Sequence, residues 1–287
     1  MQHPCQIEQR ELALPDQRIH YRIYRNPTVS SDRKLVLLHG AGVAGEDTWH
    51  AMTAFLDQWR EILVPDLRGM GQTHAPDGEE HPFTAQQLML DISQLVDRLS
   101  WWQFDLGGYS MGGLVSLLYK QAHPERVAKQ YLLEPAVLDR PCWETTVALR
   151  QQYSAAADQL RTGDAEQGVV NFLDTISPNR KVSTQAERLT IDRLAQRPLG
   201  FANALHCVTH AINELDREQL VAAQGDVSSF VGGHSVDLMH QYHRGLAERM
   251  PSWHYFMVPG TDHSLPFQKP RQIARIMNAE LERYLAD

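Results

Sequence analysis

Cysteine is scarce. The 287-residue chain has three, Cys5, Cys142 and Cys207, an odd number, widely spaced and with no CxxC pair. Such usage argues against a disulfide framework and a structural zinc site, and suits a reducing compartment. No apolar run approaches the roughly 18 residues of a membrane span. The first stretch, MQHPCQIEQRELALPDQ, lacks the basic start and apolar run of a signal peptide. The expectation is a soluble, cytoplasmic protein with no membrane partner. Positive charge is not in excess either: 27 Lys and Arg stand against 35 Asp and Glu, a net charge of −8. A net-negative chain is a poor ligand for phosphate backbones, so nucleic acid is not an expected partner. Repeats and low-complexity segments are missing as well. Apolar residues are not scarce. At 43% they supply a sizeable core and exclude wholesale disorder. The length suits one large domain or two modest ones, at roughly 100–200 residues each.

The early sequence alternates in the strand manner. IEQRELAL and RIHYRIYR flank the turn residues Pro15 and Asp16 and predict a hairpin. KLVLLHG at 34–40 is a short continuous apolar run ending in glycine, as expected of a strand buried on both faces. Helical spacing follows over 47–59, then a strand at 61–66, a helix over 84–99, a strand at 103–110, a buried helix at 111–122 and a strand at 129–135. This alternation predicts a parallel sheet covered on both faces. Beyond Pro135 the pattern changes: residues 140–216 are rich in Gln, Arg and Ala, with few strand signals. A strand is expected at 219–226, a helix around 234–249, a strand at 254–260 and a last helix from Arg271 to Tyr284. The organisation expected is an α/β core of residues 1–136 and 217–287, with residues 137–216 inserted as a helical cap. Helical insertions at the carboxyl ends of parallel strands commonly cover a ligand crevice.

Gly108-Tyr109-Ser110-Met111-Gly112, with Gly113 beside it, lies between an expected strand and an expected helix. A serine on such a sharp turn has its hydroxyl exposed above the sheet, and the flanking residues must be small because chain segments crowd there. Serine needs a base to take its proton as it attacks. In this motif the partners follow in the order serine, acid, histidine. His263, on the loop Val258-Pro259-Gly260-Thr261-Asp262-His263 after the last strand, is the candidate base. The backbone N–H of Met111, opening the helix, is a candidate oxyanion donor.

These features resemble the α/β-hydrolase superfamily. The resemblance runs from about residue 15 to the C-terminus. It rests on His39-Gly40, Asp66-Leu67-Arg68-Gly69-Met70-Gly71, the Ser110 turn, His123-Pro124-Glu125-Arg126-Val127 and the Gly260–His263 loop. It implies an eight-stranded, mostly parallel sheet flanked by helices, with a helical cap. It also implies a second oxyanion donor after His39-Gly40, Ala41 or else Gly42. Two acids remain open. Many similar proteins place the acid three residues beyond a glycine after a late strand, but Gly225 leads there to Ser228, and Asp226 follows the glycine directly. Others, among them some esterases and the haloalkane dehalogenases, place it after the strand that follows the nucleophile helix, where Glu134 stands. Glu134 is preferred and Asp226 is the alternative.

Other signals are weaker. Gly40, Gly42 and Gly45 spell G-x-G-x-x-G, a dinucleotide skeleton, with Asp66 at the end of a later strand. The helix expected from Asp47 begins too late for that reading, and Asp66 lies 26 residues beyond Gly40, further than the usual ~20. His206 and His210 have the spacing of metal ligands on a helix but no carboxylate joins them. His234, His240 and His243 look like a solvated helix, Cys207 shows no activation, and Trp101 and Trp102 look like packing residues. Trp143, Tyr153, Phe172, Phe201 and Leu205 either line an apolar pocket or merely tie cap to core. The expected function is hydrolysis of a small or medium carboxylic ester through an acyl-serine, with no metal and no organic cofactor. A thioesterase, lactonase or C–C bond hydrolase would use the same residues. A ligand-binding homologue without turnover and a nicotinamide oxidoreductase are rivals from other classes. Serine as nucleophile excludes the aspartate-based dehalogenase and epoxide hydrolase chemistries.

Overall fold

The computed structural model describes residues 4–287. Its strands are β1 (Gln6–Ala13), β2 (Arg18–Arg25), β3 (Lys34–Leu38), β4 (Glu61–Pro65), β5 (Phe104–Tyr109), β6 (Val127–Leu133), β7 (Asp226–Gly232) and β8 (Trp253–Val258). They form one sheet in the order β1-β2-β4-β3-β5-β6-β7-β8. β1 and β2 form the expected antiparallel hairpin, β2 meets β4 antiparallel, and every pairing from β4 to β8 is parallel. This is the α/β-hydrolase fold.

Helices α1 (Gly45–Thr53), α2 (Ala85–Arg98) and α3 (Met111–Ala122) connect the central strands. α4 (Trp143–Arg161), α5 (Ala165–Ile176), α6 (Thr184–Leu194), α7 (Pro198–Glu214) and α8 (Arg217–Ala222) lie between β6 and β7. α9 (Asp237–Arg249), α10 (Leu265–Gln268) and α11 (Pro270–Ala286) complete the chain. The apolar run of β3 shows why the sheet needs cover on both sides. Leu35 and Leu37 enter the core with Trp49, Met52, Ile273 and Met277, whereas Val36 and Leu38 enter the core with Leu88, Leu95, Leu114 and Val115. Successive strand residues face opposite ways, so an unbroken apolar run serves two cores.

The insertion has a core of its own, in which Tyr153, Ala157, Leu160, Val169, Phe172, Leu194, Phe201 and Leu205 pack together. It is pinned to the sheet through α7. Arg197 donates to the carbonyls of Gly71 and Thr73 at 2.9 and 2.7 Å and pairs with Glu80, and Asn203 Nδ2 donates to the His81 carbonyl at 3.0 Å. Gly200 lies against Gly69 so closely that a methyl group there would collide with the Gly69 carbonyl oxygen.

Several expectations need correction. The strand expected at 219–226 is helix α8, and the strand starts only at Asp226. Asp216 caps α8 by accepting from Gln219 N at 3.0 Å, which commits the short apolar run to a helix. The helix expected over 47–59 runs from Gly45 to Thr53, because Asp66 Oδ1 accepts from Gly45 N at 2.8 Å and starts it early. His240 and His243 are not solvated. They lie on the buried face of α9, where His243 Nε2 donates to the Leu138 carbonyl at 3.1 Å. His234 precedes that helix. Trp101 packs as expected, but Trp102 is 77% exposed.

Candidate active site

Ser110 joins the last residue of β5 to the first of α3. Its backbone sits at φ 52°, ψ −115°, a conformation a side chain seldom adopts. The turn is held from every side. Ser110 N donates to the Leu133 carbonyl at 3.0 Å, and the Ser110 carbonyl accepts from Gly113 N and Ala136 N, both at 2.9 Å. A methyl group on Gly108 would strike the Gly112 carbonyl, and one on Gly112 would strike the carbonyls of Leu38 and His39. The glycines are therefore a condition of the turn, which the surrounding strands force on the serine.

β8 delivers His263. After a turn at Gly260, with φ 71°, the loop is stiffened by Asp262, whose carboxylate accepts from Ser264 N at 2.8 Å and Gln268 Nε2 at 3.1 Å. His263 Nδ1 lies 2.6 Å from Glu134 Oε2. An ionised carboxylate can only accept, so Nδ1 carries the proton and Nε2 is left as an acceptor. Glu134 directly follows β6 and is buried, with φ at 41°. Its other oxygen accepts from Gly232 N at 2.7 Å and from the Ser235 hydroxyl. Burial alone would raise the Glu134 carboxyl. The His263, Ser235 and Gly232 contacts outweigh it and hold the group below the ordinary carboxylate range.

Asp226, the alternative acid, is at the opposite end of the sheet. It opens β7, pairs with buried Lys129 and takes both oxygens to Arg283 Nη2 at 2.8 Å. The structure thus brings Glu134 to His263 and leaves Asp226 in a separate ionic cluster. Ser235 and Gly232 escaped the sequence reading. The only trace of their part was a small, polar Gly-Gly-His-Ser segment that begins with the last residue of β7.

Two chambers meet at Ser110. The outer one, about 220 Å³, is lined among others by Gly40, Tyr109, Phe172, Leu173, Val182, Leu194 and Phe267. The inner one, about 20 Å³, is lined by Met111, Glu134, Asp139, Arg150, Tyr153, Leu205 and Met239 among others. Ala41, Ser110, Phe172, Ile176 and His263 border both. The Gly42 N–H is engaged by Met70 Sδ at 3.2 Å, which favours Ala41 over Gly42 as a free donor beside the serine. His39 anchors this loop: Nδ1 donates to the Gly40 carbonyl, and Nε2 accepts from Leu67 N, each at 2.8 Å. Of the five aromatic or aliphatic residues expected at the pocket, Phe172, Tyr153 and Leu205 line it. Phe201 is buried in the core of the insertion, and Trp143 stacks with Arg217 at 4.9 Å, away from the site.

The helix-start argument against a dinucleotide fails, since Gly45 does open α1. A different one replaces it. The Gly45 N–H that would face a pyrophosphate is taken by Asp66, which also accepts from Gln72 N at 3.0 Å and lies beside Arg22. The glycines frame a carboxylate. His206 and His210 face Asp158 and Glu214 at 3.6 and 3.4 Å. Among the described residues no group of three or more His, Cys, Asp or Glu is placed to hold a metal ion. Cys142 and Cys207 are free thiols, and burial pushes the Cys207 thiol up to about 12. Among the described residues no helix is long and apolar enough to cross a membrane.

The family model described as the alpha/beta hydrolase fold matches residues 34–269. The chain is 33% identical over 110 residues to the abhydrolase domain-containing protein abhd-5.2 of Caenorhabditis elegans, a match spanning 38% of this chain and only 24% of that one. It is 26% identical over 253 residues to the pimeloyl-[acyl-carrier protein] methyl ester esterase of Aeromonas hydrophila, covering 85% of this chain and 93% of the relative. A solved structure from work on carboxylesterases of Nitrososphaera gargenis superposes with a TM-score of 0.74 at 19% identity, covering 97% of this chain and all of the other.

Proposed function

Because the chain belongs to the α/β-hydrolase fold family, we propose that it is a serine hydrolase cleaving a small or medium carboxylic ester through an acyl-serine. The observation that carries this reading is the 2.6 Å contact of His263 Nδ1 with Glu134 at the rim of the chambers that Ser110 lines. Ser110 Oγ attacks the ester carbonyl as His263 Nε2 takes its proton. The tetrahedral oxyanion is met by the Met111 and Ala41 N–H groups. Collapse expels the alcohol, which leaves with the proton from His263, and an acyl-serine remains. Water, deprotonated by His263, then attacks that ester and releases the carboxylic acid. Glu134 holds the ring in the tautomer this sequence requires and stabilises the imidazolium formed twice in it. The helices of the insertion act as the cap that bounds the substrate, and the apolar wall of Phe172, Leu173, Leu194 and Phe267 favours an apolar chain.

The methyl ester esterase of Aeromonas hydrophila supports ester chemistry by its similarity over most of both chains. The thiols of Cys142 and Cys207 support a reducing, cytoplasmic setting. The test is a panel of esters and thioesters of graded chain length, run beside Ser110→Ala and fluorophosphonate labelling. Labelling at Ser110 with ester turnover that disappears in Ser110→Ala is expected. Turnover confined to acyl-CoA thioesters or to vinylogous diketones would overturn the ester reading in favour of a thioesterase or a C–C bond hydrolase. Turnover confined to cyclic esters would point to a lactonase. Failure to label, with no turnover, would leave a binding homologue.

A further inference from the structure

The inner chamber sets a few charged and polar side chains into a mostly apolar wall. On α4 the buried stripe runs Thr146, Arg150, Tyr153, Ala157 and Leu160, so a guanidinium occupies a position that helical spacing reserves for the core. Arg150 and Tyr153 are 6% and 1% exposed, and facing them is Asp139, 3% exposed. Among the described residues Arg150 Nε, the Tyr153 hydroxyl and both carboxylate oxygens of Asp139 lack a hydrogen-bond partner. Arg150 Nη2 stands 3.8 Å from Asp139 Oδ2, too far for a hydrogen bond. Buried polar atoms left open are costly, and so many around one small space are the mark of a missing partner. The approach to Asp139 is also strained, since Val137, a β-branched residue, sits at φ 76°.

We propose that this chamber is a recognition subsite for a neutral hydroxyl on the substrate, donating to Asp139 and accepting from Arg150 and Tyr153. The geometry chooses among ligands by charge. A substrate carboxylate would gain Arg150 but face Asp139. An ammonium would gain Asp139 but face Arg150. A hydroxyl is both donor and acceptor and satisfies all three side chains without net charge. Burial pushes the Tyr153 phenol up, so it stays a donor at neutral pH. The volume of about 20 Å³ admits roughly one water-sized group. The inner chamber therefore holds the hydroxyl-bearing tip of the substrate, and the outer chamber holds the rest.

The inference rests on the ester reading, and its test keeps the two apart. One arm compares kcat/KM for p-nitrophenyl β-hydroxybutyrate and p-nitrophenyl isovalerate, which differ by a hydroxyl in place of a methyl on the acyl side. The other compares the butyrate monoester of ethylene glycol with propyl butyrate, the same exchange on the alcohol side. In one pair the hydroxyl ester is expected to win by about tenfold or more, because its loss leaves buried groups unpaired. Asp139→Asn and Tyr153→Phe are expected to shrink that ratio toward one. A merely structural role would depress both members of the pair alike and leave the ratio intact. The same preference is expected in ligand-detected NMR binding to Ser110→Ala, which needs no turnover. Ratios near one in both pairs, or a ratio untouched by both variants, would overturn the subsite. Tighter binding of a hemisuccinate ester than of the hydroxyl esters would overturn it in favour of an anion site. Preferential binding without turnover of any ester would support the subsite while sinking the ester reading. If Asp139→Asn fails to fold, Tyr153→Phe, which removes one unpaired oxygen only, decides the matter.

Discussion

The two carboxylates that compete for the acid's place differ in what they hold. Glu134 holds a ring tautomer, and Asp226 helps neutralise Lys129, which is fully buried at the far end of the sheet. Their neutral variants should therefore fail in different measurements. Glu134→Gln presents an amide N–H or a weaker acceptor to His263 Nδ1 and releases the ring to the wrong tautomer. A fall in kcat of about 10³–10⁴ is expected, with little change in the far-UV spectrum. Asp226→Asn weakens a buried ion pair and should cost about 2–4 kcal/mol of stability while leaving kcat within a small factor. Paired kinetics and thermal melts of the two variants check this; a collapse of kcat in Asp226→Asn alone would reverse the assignment. Glu134 was offered by the resemblance to proteins that place an acid after the strand following the nucleophile helix, and that position lies at the sheet edge where Ser110 also emerges. Its supports, the Gly232 N–H and the Ser235 hydroxyl, were not legible, because only the pairing of β6 with β7 brings residues about a hundred positions apart together. Asp139, in the loop before α4, and Arg150, on α4, were hidden for a related reason: a charged residue reads as solvated until a second element covers it.

Among the elements, long amphipathic helices were the easiest to read, and the helix over 84–99 stood out by its apolar spacing. Its start is fixed by Thr84 and Gln87, which cap α2 reciprocally, with Thr84 N donating to Gln87 Oε1 at 2.9 Å and Gln87 N donating to Thr84 Oγ1 at 3.2 Å. α8 carries a similar signal, Asp216 three residues before Gln219, but its single apolar cluster is too short for periodicity to distinguish helix from strand. The approach of α7 to the Gly69 turn left no periodic signal at all, only two isolated glycines. It is nonetheless where the insertion grips the sheet. Gly200→Ala would drive a methyl group into the Gly69 carbonyl, a backbone atom with no freedom to swing aside. Either α7 shifts or stability falls, by about 1–3 kcal/mol for an overpacked contact of this kind. Because α7 also carries Leu205 of the inner chamber, the variant should raise KM more than it lowers the rate of Ser110 labelling at saturating fluorophosphonate. Melting and labelling kinetics on Gly200→Ala would show it. An unchanged melting temperature would mean that the insertion is not fastened here.

At the scale of the whole molecule the parallel sheet separates two charge systems. Ser110, Glu134 and His263 gather at the carboxyl edge, and Lys129, Asp226, Glu280 and Arg283 gather at the other end, where they pin α11 to β6 and β7. Between the sheet and α9 lies a third titratable group, His243, fully buried beside Trp253, Tyr255, Tyr242 and His240. Burial pushes its imidazole down to about 4, against a lesser upward pull from Glu134 and the Leu138 carbonyl. Burial pushes His39 down as well, and the Glu134 carboxyl is also held low. The sign is the same for all three. The unfolded chain binds each proton at a higher pH than the folded one, so the stability they contribute is full above their unfolded values and drains away as pH falls. For His243 that window runs from its ordinary 6.5 down to about 4, a span worth about 3 kcal/mol. His243→Gln, whose amide can still donate to the Leu138 carbonyl, removes the titration and keeps the hydrogen bond. Going from about pH 7.5 to about pH 5, urea unfolding of the native chain should lose about 2 kcal/mol more than the variant. Equal losses would mean that His243 is charged in the folded chain, and the buried contact with Leu138 would then have to be redrawn.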